Sequence, residues 1–148
     1  MTDRAPLPSL FGRFSSVLKE HDHLKTTLHR LRTMCATLEE ASDLPRELLP
    51  EPLFEELFAD LKSHFTSEES PAYFGTVVEE SPALAPQINM LKREHMDMLM
   101  RIEELLGMAQ DRQRWRGLAH PTRQFVAILE QHERAESTLL RELFFPPK

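Results

Sequence analysis

Apolar residues recur at spacings of three and four along almost the whole chain, and prolines interrupt them at intervals. That is the pattern of amphipathic α-helices joined by short connections. Pro6 and Pro8 end an extended lead, and Ser9 is placed to cap a first helix that runs to about Ser42. Its apolar stripe holds Leu10, Phe14, Val17, Leu18, Leu24, Leu28, Leu31, Cys35 and Leu38. A proline-rich connection, Pro45 to Pro52, leads into a second helix from Pro52 to about Ser70. Phe54, Leu57, Phe58, Leu61 and Phe65 mark its inner side, and Pro71 limits or kinks it. The stretch from Ala72 to Glu80 reads equally as loop or as one more helical turn. Ser81-Pro82 reads as the N-cap and first position of a third helix reaching about Gln110. Its stripe is Ile88, Leu91, Met98, Leu99, Ile102 and Leu105. After a charged connection, Asp111 to Ala119, a fourth helix starts at Pro121 and carries Phe125, Ile128, Leu129, Leu139, Leu140 and Leu143. Pro146-Pro147 stops it.

Four long amphipathic helices with short connections pack best as an antiparallel up-down four-helix bundle. The expected fold class is all-α, with residues 1–148 forming one domain. Composition agrees: four Gly and one Tyr, beside many Leu, Glu, Arg and Met, favour helix over sheet.

The polar residues on the apolar stripes carry the chemistry. His21 has Val17, Leu18, Leu24 and Leu28 at helical distances, and His95 has Leu91, Met98, Leu99 and Ile102. His64 and Glu68 stand four residues apart, as do His132 and Glu136. Four residues advance a helix by about 400°, so each pair points one way, one turn apart. His23 and His29 are flanked by charged and hydroxyl residues, and His120 precedes Pro121 in a connection. These three face water.

The pattern occurs twice. A single histidine is followed by His-x-x-x-Glu: His21 then His64 and Glu68, and again His95 then His132 and Glu136. The single histidines are 74 residues apart and the paired ones 68. Lys19-Glu20-His21 is echoed by Arg93-Glu94-His95. The chain therefore reads as two helical hairpins, one a rough copy of the other. Burying four imidazoles and two carboxylates without partners would cost several kcal/mol in total. Metal coordination removes that cost, because the lone pairs become ligand bonds. Two ions can share the set if both carboxylates bridge. About two positions per ion then remain for an oxo or hydroxo bridge and an outside ligand. Mixed nitrogen and oxygen donors with open positions suit iron or manganese, and zinc also accepts both donor types.

Charge excludes some partners. The net charge is −6, from 18 basic and 24 acidic residues, which argues against nucleic acid and anionic membranes. No charged-then-apolar leader and no apolar run of spanning length is present, and Cys35 is the only cysteine. A cytoplasmic location follows as the expectation. Cys35 reads as a small core residue. Met90, Met96, Met98 and Met100 read as ordinary core and helix filling.

The order His, His-x-x-x-Glu, His, His-x-x-x-Glu resembles the hemerythrin-like family, the HHE cation-binding domains. Glu20-His21-Asp22-His23-Leu24 looks like the family's first ligand segment. The segment from His64 to Glu69 looks like its second, Glu94-His95 like its third, and His132 to Glu136 like its fourth. The likeness runs from about Phe11 to Phe145. It implies a four-helix bundle around a non-haem di-iron centre. His21, His64, His95 and His132 would be terminal ligands, and Glu68 and Glu136 would bridge.

One departure is informative. Oxygen-carrying hemerythrins have a further histidine one turn after the third-helix ligand, where this chain has Leu99. Their fourth-helix carboxylate follows its histidine by five residues; here Glu136 follows by four, and the fifth position is Ser137. The resemblance is closer to members that sense or react with dioxygen, nitric oxide or iron. The alternatives are a small di-iron oxidase, a nitric-oxide-reducing or iron-repair enzyme, and an interaction module without turnover. A ferritin-like iron oxidase fits poorly, since the only Glu-x-x-His, Glu20 to His23, ends on a histidine off the core face.

Overall fold

The computed structural model describes residues 6–40 and 43–144, with side chains from Leu10 onward. Among these residues every regular element is helical and there is no strand. Five α-helices follow in order: α1 (Pro6–Glu40), α2 (Pro50–Glu68), α3 (Thr76–Glu80), α4 (Ala85–Ala109) and α5 (Ala119–Phe144). Short 3₁₀ turns at Arg46–Leu48, Pro82–Leu84 and Arg112–Gly117, and a π-helical turn at Pro71–Gly75, join them. The four long helices are those the apolar spacing predicts. They pack in a closed cycle, α1 against α2 and α5, and α4 against α2 and α5.

The boundaries move by a few residues, and proline is the reason. Pro6 and Pro8 lie inside α1 instead of ending an extended lead, so Ser9 is within the helix and not at its cap. The expected end near Ser42 and the stop at Pro146-Pro147 lie outside the described residues. Pro121 stands in the first turn of α5, which starts at Ala119. The first N–H groups of a helix have no intrahelical acceptor, so proline anywhere in that turn costs nothing. At the third long helix the shift is the other way. Ser81 makes no side-chain cap, and a 3₁₀ turn intervenes before α4 begins at Ala85. The ambiguous stretch after Pro71 is helical: a π-helical turn, then α3. Asp111 opens the next connection by accepting from the Gln113 backbone N–H at 3.0 Å, and Trp115 Nε1 donates to the Ala109 carbonyl at 2.9 Å.

Packing divides the apolar interior into two clusters. The larger holds Leu24, Leu28 and Leu31 of α1, Phe54 to Phe65 of α2, Met98 to Leu105 of α4 and Phe125 to Leu129 of α5. The smaller holds Leu10, Phe14 and Val17 of α1, Tyr73, Phe74 and Val77, Ile88 and Leu91 of α4, and Leu139 and Leu140 of α5. On α1, α4 and α5 the residues between the two clusters are those of the repeated motif, and on α2 Glu68 follows the last residue of the larger cluster. Cys35 is fully buried, its thiol against the Ala119 carbonyl at 3.7 Å. Two expectations fail. Leu18 is 38% exposed, and of the methionines on α4 only Met98 is core; Met90, Met96 and Met100 are exposed. No helix among the described residues is long and apolar enough to cross a membrane.

Candidate metal centre

The layer between the clusters gathers all six residues singled out by the repeat. His21, His64, Glu68, His95, His132 and Glu136 are each buried. Their donor atoms fall into two overlapping groups, each with atoms within 4.8 Å of one another. One is His21, His64 and Glu68; the other is Glu68, His95, His132 and Glu136. Glu68 belongs to both, whereas Glu136 stands with the second. Glu68 Oε1 lies 3.4 Å from His64 Nε2 and 3.3 Å from His95 Nε2. His21 Nε2 and His64 Nε2 are 3.2 Å apart. His132 Nε2 is 3.8 Å from Glu136 Oε2. Donors about 2.1 Å from one ion and at right angles are about 3 Å from each other, so these separations suit shared coordination.

Most of these donor atoms are otherwise unclaimed. As ionised carboxylates, Glu68 and Glu136 receive no hydrogen bond on any of their four buried oxygens, and the buried Nε2 of His95 and of His132 has no hydrogen-bond partner. Buried polar atoms seldom go without a partner. A cation among them would resolve all at once, so the residues fit a metal. Electrostatics agree. Burial pushes the His21 pKa down to about 3, helped by His64, His132 and Lys25. Burial lowers His95 as well, with His132 and His64 adding to it. Burial also lowers His132, against the opposing pull of Glu94. The imidazoles are therefore neutral, the form that ligates metals. Glu68 is pushed well above the ordinary carboxylate range by burial and then by Glu136. Burial raises Glu136 too. Cations between the two carboxylates would reverse that push.

Outside this layer, carboxylates hold the far nitrogens of three histidines. Glu20 Oε2 accepts from His64 Nδ1 in a very short contact. Glu69 Oε2 accepts from His95 Nδ1 at 2.8 Å, and Glu94 Oε1 from His132 Nδ1 at 2.6 Å. Such partners fix the tautomer, leave Nε2 free for a metal and raise its basicity. Each carboxylate is next in sequence to a ligand on one helix and serves a ligand on the following one. The links run from α1 to α2, from α2 to α4 and from α4 to α5. A fourth link, from α5 back to α1, would need an acceptor at Ser137 for His21, and none is hydrogen-bonded there among the described residues. His21, Ser137 and Glu133 instead line a cleft of about 690 Å³ between α1 and α5.

Several participants escape sequence reasoning. Glu20, Glu69 and Glu94 look like a solvated face, and only their adjacency to ligands marks them. Glu133 is buried with an unpartnered oxygen, and burial followed by Glu136 raises its pKa to about 8. Phe65 stacks on His95 with centroids 3.9 Å apart. The excluded histidines behave as expected: His23, His29 and His120 are exposed. His23 meets Asp60 at 3.2 Å, and with Glu56 these form a third, surface group of potential donors.

Comparison with family models, with curated proteins and with solved structures gives no match.

Proposed function

We propose that the chain is a hemerythrin-like non-haem di-iron protein, an up-down four-helix bundle that binds and responds to a small ligand such as dioxygen or nitric oxide. The observation that carries this reading is the pair of buried donor groups sharing Glu68. His21, His64 and Glu68 would hold one ion; His95, His132, Glu136 and Glu68 would hold the other. Bound iron would supply reversible one-electron chemistry and an affinity for diatomic ligands. The chain's own part is to hold His21, His95 and His132 neutral, orient His64, His95 and His132 through Glu20, Glu69 and Glu94, and exclude water with the two apolar clusters. Leu99 offers no donor beside His95, so the second group gains no further protein ligand from α4. Manganese or zinc would suit the same donors.

Glu133 favours a second reading, a small oxidase or nitric-oxide-reducing enzyme. Its carboxyl is buried beside the ligand layer with an oxygen that has no hydrogen-bond partner, where reduction of such ligands consumes protons.

Metal-free protein reconstituted anaerobically with ferrous iron should take up about two iron ions per chain and melt at a higher temperature. Uptake below one ion per chain, with unchanged melting, overturns the proposal. The reduced form mixed with oxygen in a stopped-flow instrument should oxidise without a long-lived adduct. A reversible adduct lasting minutes would restore oxygen carriage.

A further inference from the structure

Tyr73 is the chain's only tyrosine and is 1% exposed. It projects from the π-helical turn Pro71–Gly75, which follows directly on the helix that carries His64 and Glu68. Turns of this kind are frequent at functional sites. The phenol oxygen has no hydrogen-bond partner. A buried tyrosine normally finds one, and a hydroxyl desolvated without one destabilises the fold.

Its surroundings point to where the partner belongs. The ring sits in the smaller apolar cluster, which borders the ligand layer. It packs on Phe74 at 5.4 Å between centroids, and Phe74 stacks on His95 at 5.9 Å. Burial raises the phenol pKa, and the carboxylates of Glu136, Glu68 and Glu20 raise it further, so the hydroxyl stays protonated. Yet neither Glu68 nor Glu136 accepts its proton, since all four oxygens are themselves without hydrogen bonds. For packing alone, phenylalanine would fill the same apolar seat without the cost of the hydroxyl.

We propose that Tyr73 Oη is the hydrogen-bond donor to the small outside ligand of the centre, an anion or diatomic molecule with a lone pair on its outer atom. Tyr73 is then the residue that sets ligand preference, favouring ligands that accept a hydrogen bond. This rests on the di-iron reading above, and no bond is made or broken at the phenol itself.

The test compares wild type with Tyr73→Phe, both loaded with iron and oxidised, and titrates each with azide by optical absorption. Iron content should be equal, and the metal-free variant should melt no lower than wild type. The azide Kd should rise about tenfold or more, as expected for losing a hydrogen bond to a charged acceptor. Two irons in both proteins with an unmoved Kd overturns the proposal and leaves the di-iron reading standing. An iron–phenolate absorption band in azide-free wild type that vanishes in the variant also overturns it, by making Tyr73 a ligand. A lower melting temperature of the metal-free variant overturns it too, because the hydroxyl would then have a partner within the chain. Wild type that takes up no iron overturns both readings together.

Discussion

On the α2–α4 side of the centre, His95 lies flat on Phe65, their planes 7° apart, and its Nδ1 is held by Glu69. On the α5–α1 side, His21 has no carboxylate on its outer nitrogen and opens on a cleft with Glu133 and Ser137. The repeat makes these corresponding places. Phe65 and Glu133 each follow the histidine of a His-x-x-x-Glu, and Glu69 and Ser137 each follow its glutamate. The ligands are duplicated, but their surroundings are not. Identical donors can thus be given one flank covered by an aromatic ring and one that opens on a cleft. A small ligand would approach by the second.

The strongest way to break this comparison is to remove the carboxylate common to both donor groups. Glu68→Ala should abolish binding at both positions, whereas Glu136→Ala should leave an ion at His21 and His64. Iron per chain, measured after reconstitution, should fall further in the first variant; equal loss would show that both carboxylates serve both ions. Next come the outer carboxylates. Glu20→Gln, Glu69→Gln and Glu94→Gln should each weaken metal binding by roughly 10- to 100-fold. Ser137→Ala should leave it unchanged, and Ser137→Glu should strengthen it by giving His21 the acceptor it lacks. Competition with a chelator reads all five, and a loss in Ser137→Ala equal to that in Glu69→Gln would erase the distinction between the flanks.

Acidity tests the centre as a whole in the metal-free protein. His21, His95 and His132 have folded pKa values below the ordinary 6.5, about 3 for His21. Their contribution is complete above 6.5 and is lost as pH falls toward 3. Glu68, Glu133 and Glu136 are raised above the ordinary 4.5, to about 8 for Glu133. Their contribution is complete below 4.5 and is lost as pH rises toward 8. The two oppose each other between 4.5 and 6.5. Urea denaturation should therefore show stability falling on both flanks of that window. Iron should remove the alkaline loss, because cations favour the ionised carboxylates. A stability that climbs steadily to pH 8 without metal would contradict these assignments. The smallest effect belongs to the surface group. His23→Ala should change stability by less than about 0.5 kcal/mol, since its partner Asp60 is also solvated. Iron content should stay the same, and a loss matching His21→Ala would misplace the α1 ligand.

The four long helices and the six inward residues are legible in the sequence for one reason: both obey the 3.6-residue period, and a polar residue on an apolar stripe stands out. What the period does not govern stays hidden. Glu20, Glu69 and Glu94 point outward from their own helices, with side chains 44%, 37% and 40% exposed, and gain a role only when a neighbouring helix arrives. Tyr73 and Phe74 lie in a π-helical turn, whose wider spacing breaks the pattern that would have marked them as core. Proline located helix beginnings only to within a turn, because any first-turn position tolerates it. The buried Glu133 was masked by its neighbour His132, since a helix stripe wide enough to bury both reads as one.

The outer carboxylates also set an order of events in time. They tie α1 to α2, α2 to α4 and α4 to α5 and make no such link from α5 to α1, where ion pairs between Arg32 and Glu130 and between Arg123 and Glu39 join the helices instead. At the level of the ligands, the α1–α5 seam is therefore the one place among the described residues without a carboxylate on the far nitrogen of a histidine. An ion beside His21, with three protein ligands where its companion would have four, would be the first to leave and the last to be captured. Two ions so held would exchange at unequal speeds, and a chelator should strip iron in two separate kinetic phases. Closing the seam with Ser137→Glu should merge them.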